Sequence, residues 1–160
     1  MKKSFYCLMF FTFLTGCMPR ADVPEMEDKF AKYQPEFIEL SRLICGLSDN
    51  TKKKLYSYQP GDYVDYAAAD TTSFRQIELL LADAGFESFG LEGPACSIYL
   101  TEWGVWFGGE GQAMYFSYQP QEKSPFIAEQ HLSEKRDVKQ RIYFTKELKH
   151  DWYIVYENEP

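Results

Sequence analysis

From Pro24 onward the apolar residues Met26, Phe30, Tyr33, Phe37, Leu40 and Ile44 fall three or four positions apart, the spacing of one apolar stripe on an α-helix. The stripe predicts a helix over 24–45 that faces a core. Pro35 lies inside it, and a mid-helix proline removes a hydrogen bond and clashes with the carbonyl four residues back, here Ala31. A kink or break is therefore expected near Gln34, and Gly46 is the expected stop. Phe74, Ile77, Leu80, Leu81 and Ala84 form a second helical face. Ser73 and Gln76 supply a capping box at its start, and Gly85 followed by Phe86 suits a left-handed close at its end.

After Ala95 the period drops to two. Cys96, Ile98 and Leu100 alternate with Ser97, Tyr99 and Thr101, which predicts a half-buried strand. "GGEG" (108–111) turns the chain into Ala113–Tyr118, where Met114, Phe116 and Tyr118 share a face. The polar stretch 119–137 is expected to be a long connection with one helical turn around Phe126–Leu132. Val138–Phe144 alternates again, and "KELKHD" leads into a last strand, Trp152–Glu157, rich in aromatic and β-branched residues. Between the helices, Ser48–Lys54 reads as a polar loop, "YSYQP" (56–60) as a short strand and Pro60-Gly61-Asp62 as a turn. The near-copy "FSYQP" (116–120) is no repeat, because the surrounding residues do not match. It is a coincidence or marks two edge strands ended alike by proline. The expected fold is α+β, with two N-terminal helices packed on one face of an antiparallel sheet of about four strands.

The amino terminus departs from this patterning. Met1-Lys2-Lys3 precedes an uncharged run from Ser4 to Thr15 dominated by Phe, Leu, Met and Tyr, the layout of a secretory signal. The run is shorter than the roughly 20 apolar residues that span a bilayer. Its exit, Leu14-Thr15-Gly16-Cys17, resembles the lipobox of bacterial lipoproteins: a branched aliphatic residue, two small residues and cysteine. That resemblance implies cleavage before Cys17 and a diacylglyceryl thioether on its sulfur, so the protein would be held to the membrane by lipid. Two acyl chains, at about 0.8 kcal/mol per buried CH₂, give a stable anchor. In that family an aspartate after the cysteine retains the protein at the inner membrane of Gram-negative cells. Met18 stands there, which implies the outer membrane, facing the periplasm. The expected organisation is a signal peptide at 1–16, a lipid-anchored tether at 17–24 and a single α+β domain at 25–160.

Charge narrows the partners. The chain carries a net −7, and removal of Lys2 and Lys3 with the signal leaves 15 basic against 24 acidic side chains, a net −9. Such a chain has no electrostatic footprint for nucleic acid and is repelled by anionic lipid, whereas a basic protein partner suits it. Of the four cysteines, Cys7 leaves with the signal and Cys17 takes the lipid. Cys45 and Cys96 remain for a disulfide in an oxidising compartment, with two buried thiols as the alternative.

Candidate chemistry is sparse. In "WGVWFGGEG" (103–111), Trp103, Trp106 and Phe107 stand near Glu110, a set able to stack on a sugar or peptide, although aromatic strands joined by glycines are also ordinary hairpin material. His131 and Glu134 are three apart on a polar connection, where solvation is expected, and His150-Asp151 falls in a turn. No HExxH, Cys-x-x-Cys, Gly-rich phosphate loop or G-x-S-x-G occurs. No catalytic residue, metal ligand or cofactor is assigned on this basis. The segment "RIYFTKELKHDWYIVYE" (141–157) resembles the closing hairpin of small exported bacterial proteins of unknown function. It implies a fold type without an activity. The expectation is a non-enzymatic, lipid-anchored envelope protein that binds another envelope component, a protein, in an accessory or inhibitor/immunity role. The alternative is a glycan-binding module or small hydrolase built on the Trp103–Gly111 hairpin.

Overall fold

The computed structural model describes residues 20–50, 57–58, 71–92 and 96–160. Three long helices come first: α1 (Val23–Lys32), α2 (Gln34–Asn50) and α3 (Thr71–Ala84). The break between α1 and α2 falls at Tyr33, one residue from where Pro35 places it. Tyr33 N–H still donates to Lys29 O, and Tyr33 O accepts from Phe37 N–H. The proline thus lies in the first turn of a new helix, where its missing donor costs nothing. Two expected boundaries move. The helix does not stop at Gly46 but runs to Asn50, through Ser48. Ser73 lies inside α3 instead of capping it, because helix boundaries follow tertiary packing as much as local signals. The closure at Gly85 is as expected: φ is +75°, Phe86 N–H reaches Leu81 O and Gly85 N–H reaches Ala82 O, the two bonds of a Schellman motif.

The sheet is antiparallel, in the order β1-β2-β3-β4-β6-β5. Its members are β1 (Ser57–Tyr58), β2 (Phe89–Glu92), β3 (Ser97–Phe107), β4 (Glu110–Tyr118), β5 (Ile142–Glu147) and β6 (Trp152–Glu159). The α+β class holds, but the sheet has five full strands plus the two-residue β1, not about four. The additional strand, β2, is only four residues long and contains Gly90, too short for a period to show. Gly90 is needed there, since a Cβ would run into the Tyr99 ring. The strand expected over Val138–Phe144 begins only at Ile142; before it, Gln140 N–H turns back to Asp137 O. "FSYQP" lies on β4, a central strand, so it is not an edge counterpart of "YSYQP". The short helical turn is present as α4 (Ala128–His131). The Pro60-Gly61-Asp62 turn, Cys17 and the signal segment lie outside the described residues.

One face of the sheet carries the core. Ile98, Leu100, Met114, Phe116, Trp152, Ile154, Tyr156 and Phe144 are buried there beneath Phe30, Phe37, Leu40 and Ile44 of the helices. Phe37 is the hub, with ring centroids 4.8 Å from Phe116, 4.9 Å from Trp152, 5.0 Å from Phe30 and 5.9 Å from Phe86. Burying such a ring stabilises the fold by about 2–3 kcal/mol. At one end of this layer Cys45 of α2 and Cys96, just ahead of β3, are joined in a disulfide with Cα atoms 5.5 Å apart.

Candidate functional site

The β3–β4 hairpin emerges from the layered core at the end opposite the disulfide. Its two-residue turn, Gly108-Gly109, has φ values of +65° and +99°, the left-handed pair that a tight primed turn requires. Beyond the covered part of the sheet, Val105, Trp106 and Phe107 are exposed, Trp106 by 49% and Phe107 by 89%. Register alternation sends them to both faces. Val105 pairs with Gln112, Trp106 with Gly111 and Phe107 with Glu110.

A β-bulge between Thr101 and Trp103 decides which side chains point where. Strict alternation from Ile98 and Leu100 would place Trp106 on the helix face. The extra residue, Glu102, shifts the count by one and puts Trp103 there, opposite buried Met114. Glu102 meets Lys29 of α1 at 2.6 Å, and the Lys29 ammonium sits 4.1 Å from the centroid of Phe86. Trp103 holds the entry of the chain: its indole N–H donates to Ala21 O at 2.8 Å and Arg20 lies over its ring at 5.0 Å. Arg20 also reaches the Gln112 side chain at 3.5 Å. Trp103, Trp106 and Glu110 therefore do not share one face. Trp103 is engaged by residues 20 and 21, while Trp106 and Glu110 are exposed at the tip.

Residue 22 clamps the same region to the long connection. Asp22 Oδ1 pairs with Arg136 at 2.8 Å, Oδ2 accepts Ser133 N–H at 3.0 Å, and Asp22 N–H donates to Glu25 at 3.1 Å. Burial pushes the Asp22 carboxyl up, but hydrogen bonds from Ser133 and Val23 and the Arg136 charge outweigh it and hold the group below its ordinary 3.8. Arg136 lies 4.3 Å from the centroid of Tyr156. Neither Asp22 nor Arg136 was assigned from the sequence: the D-x-x-E spacing of Asp22 and Glu25 is a capping-box signal that could have found the first, whereas Arg136, more than a hundred residues on, carried none.

His131 is half-buried, not solvated as expected. Its ring stacks on Phe144 at 4.7 Å and 11°, and Nδ1 accepts Ile127 N–H at 3.0 Å. Burial and then the Arg136 charge lower its pKa, so the neutral ring is favoured. Beside it an open groove of about 430 Å³ mixes Glu129, Lys135, Asp137, Arg141 and Tyr143. His150 and Asp151 form the β5–β6 turn, with φ of +56° and +61°. Among the described residues, no group of three or more His, Cys, Asp or Glu is placed to hold a metal ion, and no helix is long and apolar enough to cross a membrane. No family model, curated protein or solved structure matches the chain.

Proposed function

We propose that this chain is a lipid-anchored protein of the cell envelope, held through a diacylglyceryl group on Cys17, whose domain binds another envelope protein and catalyses no reaction. The outer membrane, facing the periplasm, is its place in a Gram-negative cell, and an accessory or inhibitor/immunity role is its task. The observation that carries the reading is Leu14-Thr15-Gly16-Cys17 at the end of an uncharged apolar run. With Arg20 and Ala21 held on Trp103, a lipid on Cys17 would keep the domain close to the membrane. The acidic excess of the mature chain favours a basic partner.

The test is intact mass and crosslinking on the protein purified from membranes. The expected result is a chain beginning at Cys17 with the diacylglyceryl mass, absent in Cys17→Ala, and a stoichiometric crosslinked partner whose capture weakens with salt. An unmodified Cys17 overturns the anchor, and repeated absence of a partner overturns the binding role. The exposure of Trp106 at the tip supports a second reading, glycan binding at the hairpin. It requires oligosaccharide affinity that Trp106→Ala removes while the fold persists.

A further inference from the structure

We propose that the tip of the β3–β4 hairpin inserts into the lipid surface beside the Cys17 anchor, a second contact that fixes how the domain is oriented. The proposal rests on the anchored reading above and adds a site to it. Among the described residues the large exposed apolar side chains are Ile38, Leu79, Val105, Trp106, Phe107, Ile127 and Val138. Three of them form the tip. Val138 lies toward the same end of the sheet, its carbonyl and that of Gln140 accepting from the Asn158 side chain, and Asn158 pairs with Gln112, the partner of Val105.

The chain enters the fold at this same end. Arg20 contacts Gln112, and Phe107 lies two residues beyond Val105, about 7 Å further along the strand. Cys17 is three residues before Arg20, a reach of at most about 10 Å. A lipid on Cys17 and the ring of Phe107 therefore meet one bilayer surface together, while the Cys45–Cys96 end of β3 points away from it.

The chemistry of the tip favours lipid over a protein or a sugar. Val105 and Phe107 emerge on one face and Trp106 on the other, so the hairpin is apolar on both sides. A groove partner would cover one face, and a sugar would need several convergent polar groups. Trp is the residue that settles at the headgroup boundary, with Phe just below it. Glu110, opposite Phe107, limits the depth to that boundary. The overall acidity repels anionic lipid, and Arg141 at this end is balanced by Glu159, so insertion draws on the apolar tip and the acyl chains and not on charge.

The experiment uses the full mature protein in phosphatidylethanolamine–phosphatidylglycerol vesicles, with and without brominated acyl chains. The quenchable tryptophan emission is compared between the parent, Trp106→Phe and Phe107→Asp, with thermal unfolding as the fold check. The expected result is a roughly two-fold loss of the emission belonging to Trp106, absent in Trp106→Phe and largely abolished in Phe107→Asp although that variant still sediments with the vesicles. Lipidated protein that sediments without quenching overturns the tip and leaves the anchor standing. Native protein that carries no lipid on Cys17 but whose Trp106 is still quenched in excess lipid keeps the tip and overturns the anchor; native protein with neither lipid nor quenching overturns both. A Trp106 emission that shifts with peptidoglycan fragments or with protein concentration, and not with lipid, also overturns the proposal.

Discussion

The two halves of β3 have almost the same kind of sequence and opposite fates. Ser97–Thr101 and Trp103–Phe107 are both aromatic and aliphatic runs with small or polar residues between. In the first half Ile98 and Leu100 are fully buried under the helices; in the second Val105, Trp106 and Phe107 face solvent. The difference is not hydrophobicity but cover. The helical layer ends at α1, whose Lys29 meets the bulged Glu102 at the boundary between the halves. An apolar strand is core only where another layer lies on it, and what extends past that layer is available for something else.

Variants can break this contrast in decreasing order of effect. The Cys45→Ala/Cys96→Ala double substitution unties the covered end. It should cost about 4 kcal/mol in the chain-entropy model, given a separation of 51 residues. Chemical unfolding of the oxidised parent against the variant measures it. Leu100→Ala, a cavity in the same half, should cost about 3 kcal/mol, and an equal loss in Val105→Ala would erase the distinction between the halves.

Asp22→Asn acts on the strap beside the second half and should cost about 2 kcal/mol, since it leaves the Arg136 side chain, 8% exposed, without its charge partner. Its pH dependence has a definite sign. Because the folded carboxyl titrates below 3.8, its contribution is complete above that pH and disappears as the pH falls through and below it. The parent should lose stability in that acid range, and Asp22→Asn should lose less. Glu102→Ala, at the boundary, removes a partly buried ion pair and should cost about 1 kcal/mol. Phe107→Ser should change unfolding by under about 0.5 kcal/mol, and a larger loss would mean the tip is packed in solution.

Much of the architecture was legible before the structure. The stripe from Met26 to Ile44, the break demanded by Pro35, the Gly85 closure, the alternations of β3 and β4 and the β-favouring composition of β6 are local signals, written within a few residues of where they act. β2 was not legible, since four residues with a glycine hold no measurable period. Nor was the late start of β5, where Val138–Arg141 alternates by composition yet turns through Asp137.

The candidate site divides along the same line. The sequence alone determined that Trp103, Trp106 and Glu110 lie on one glycine-turned hairpin and that Cys45 and Cys96 were available to each other. The tertiary structure joined those cysteines and separated the two tryptophans, giving Trp103 to Ala21 and Arg20 while Trp106 stayed exposed. The reason is the bulge at Glu102. One extra residue reverses every side chain after it, and that residue meets Lys29 of α1, a contact across 73 positions of chain that no local pattern records.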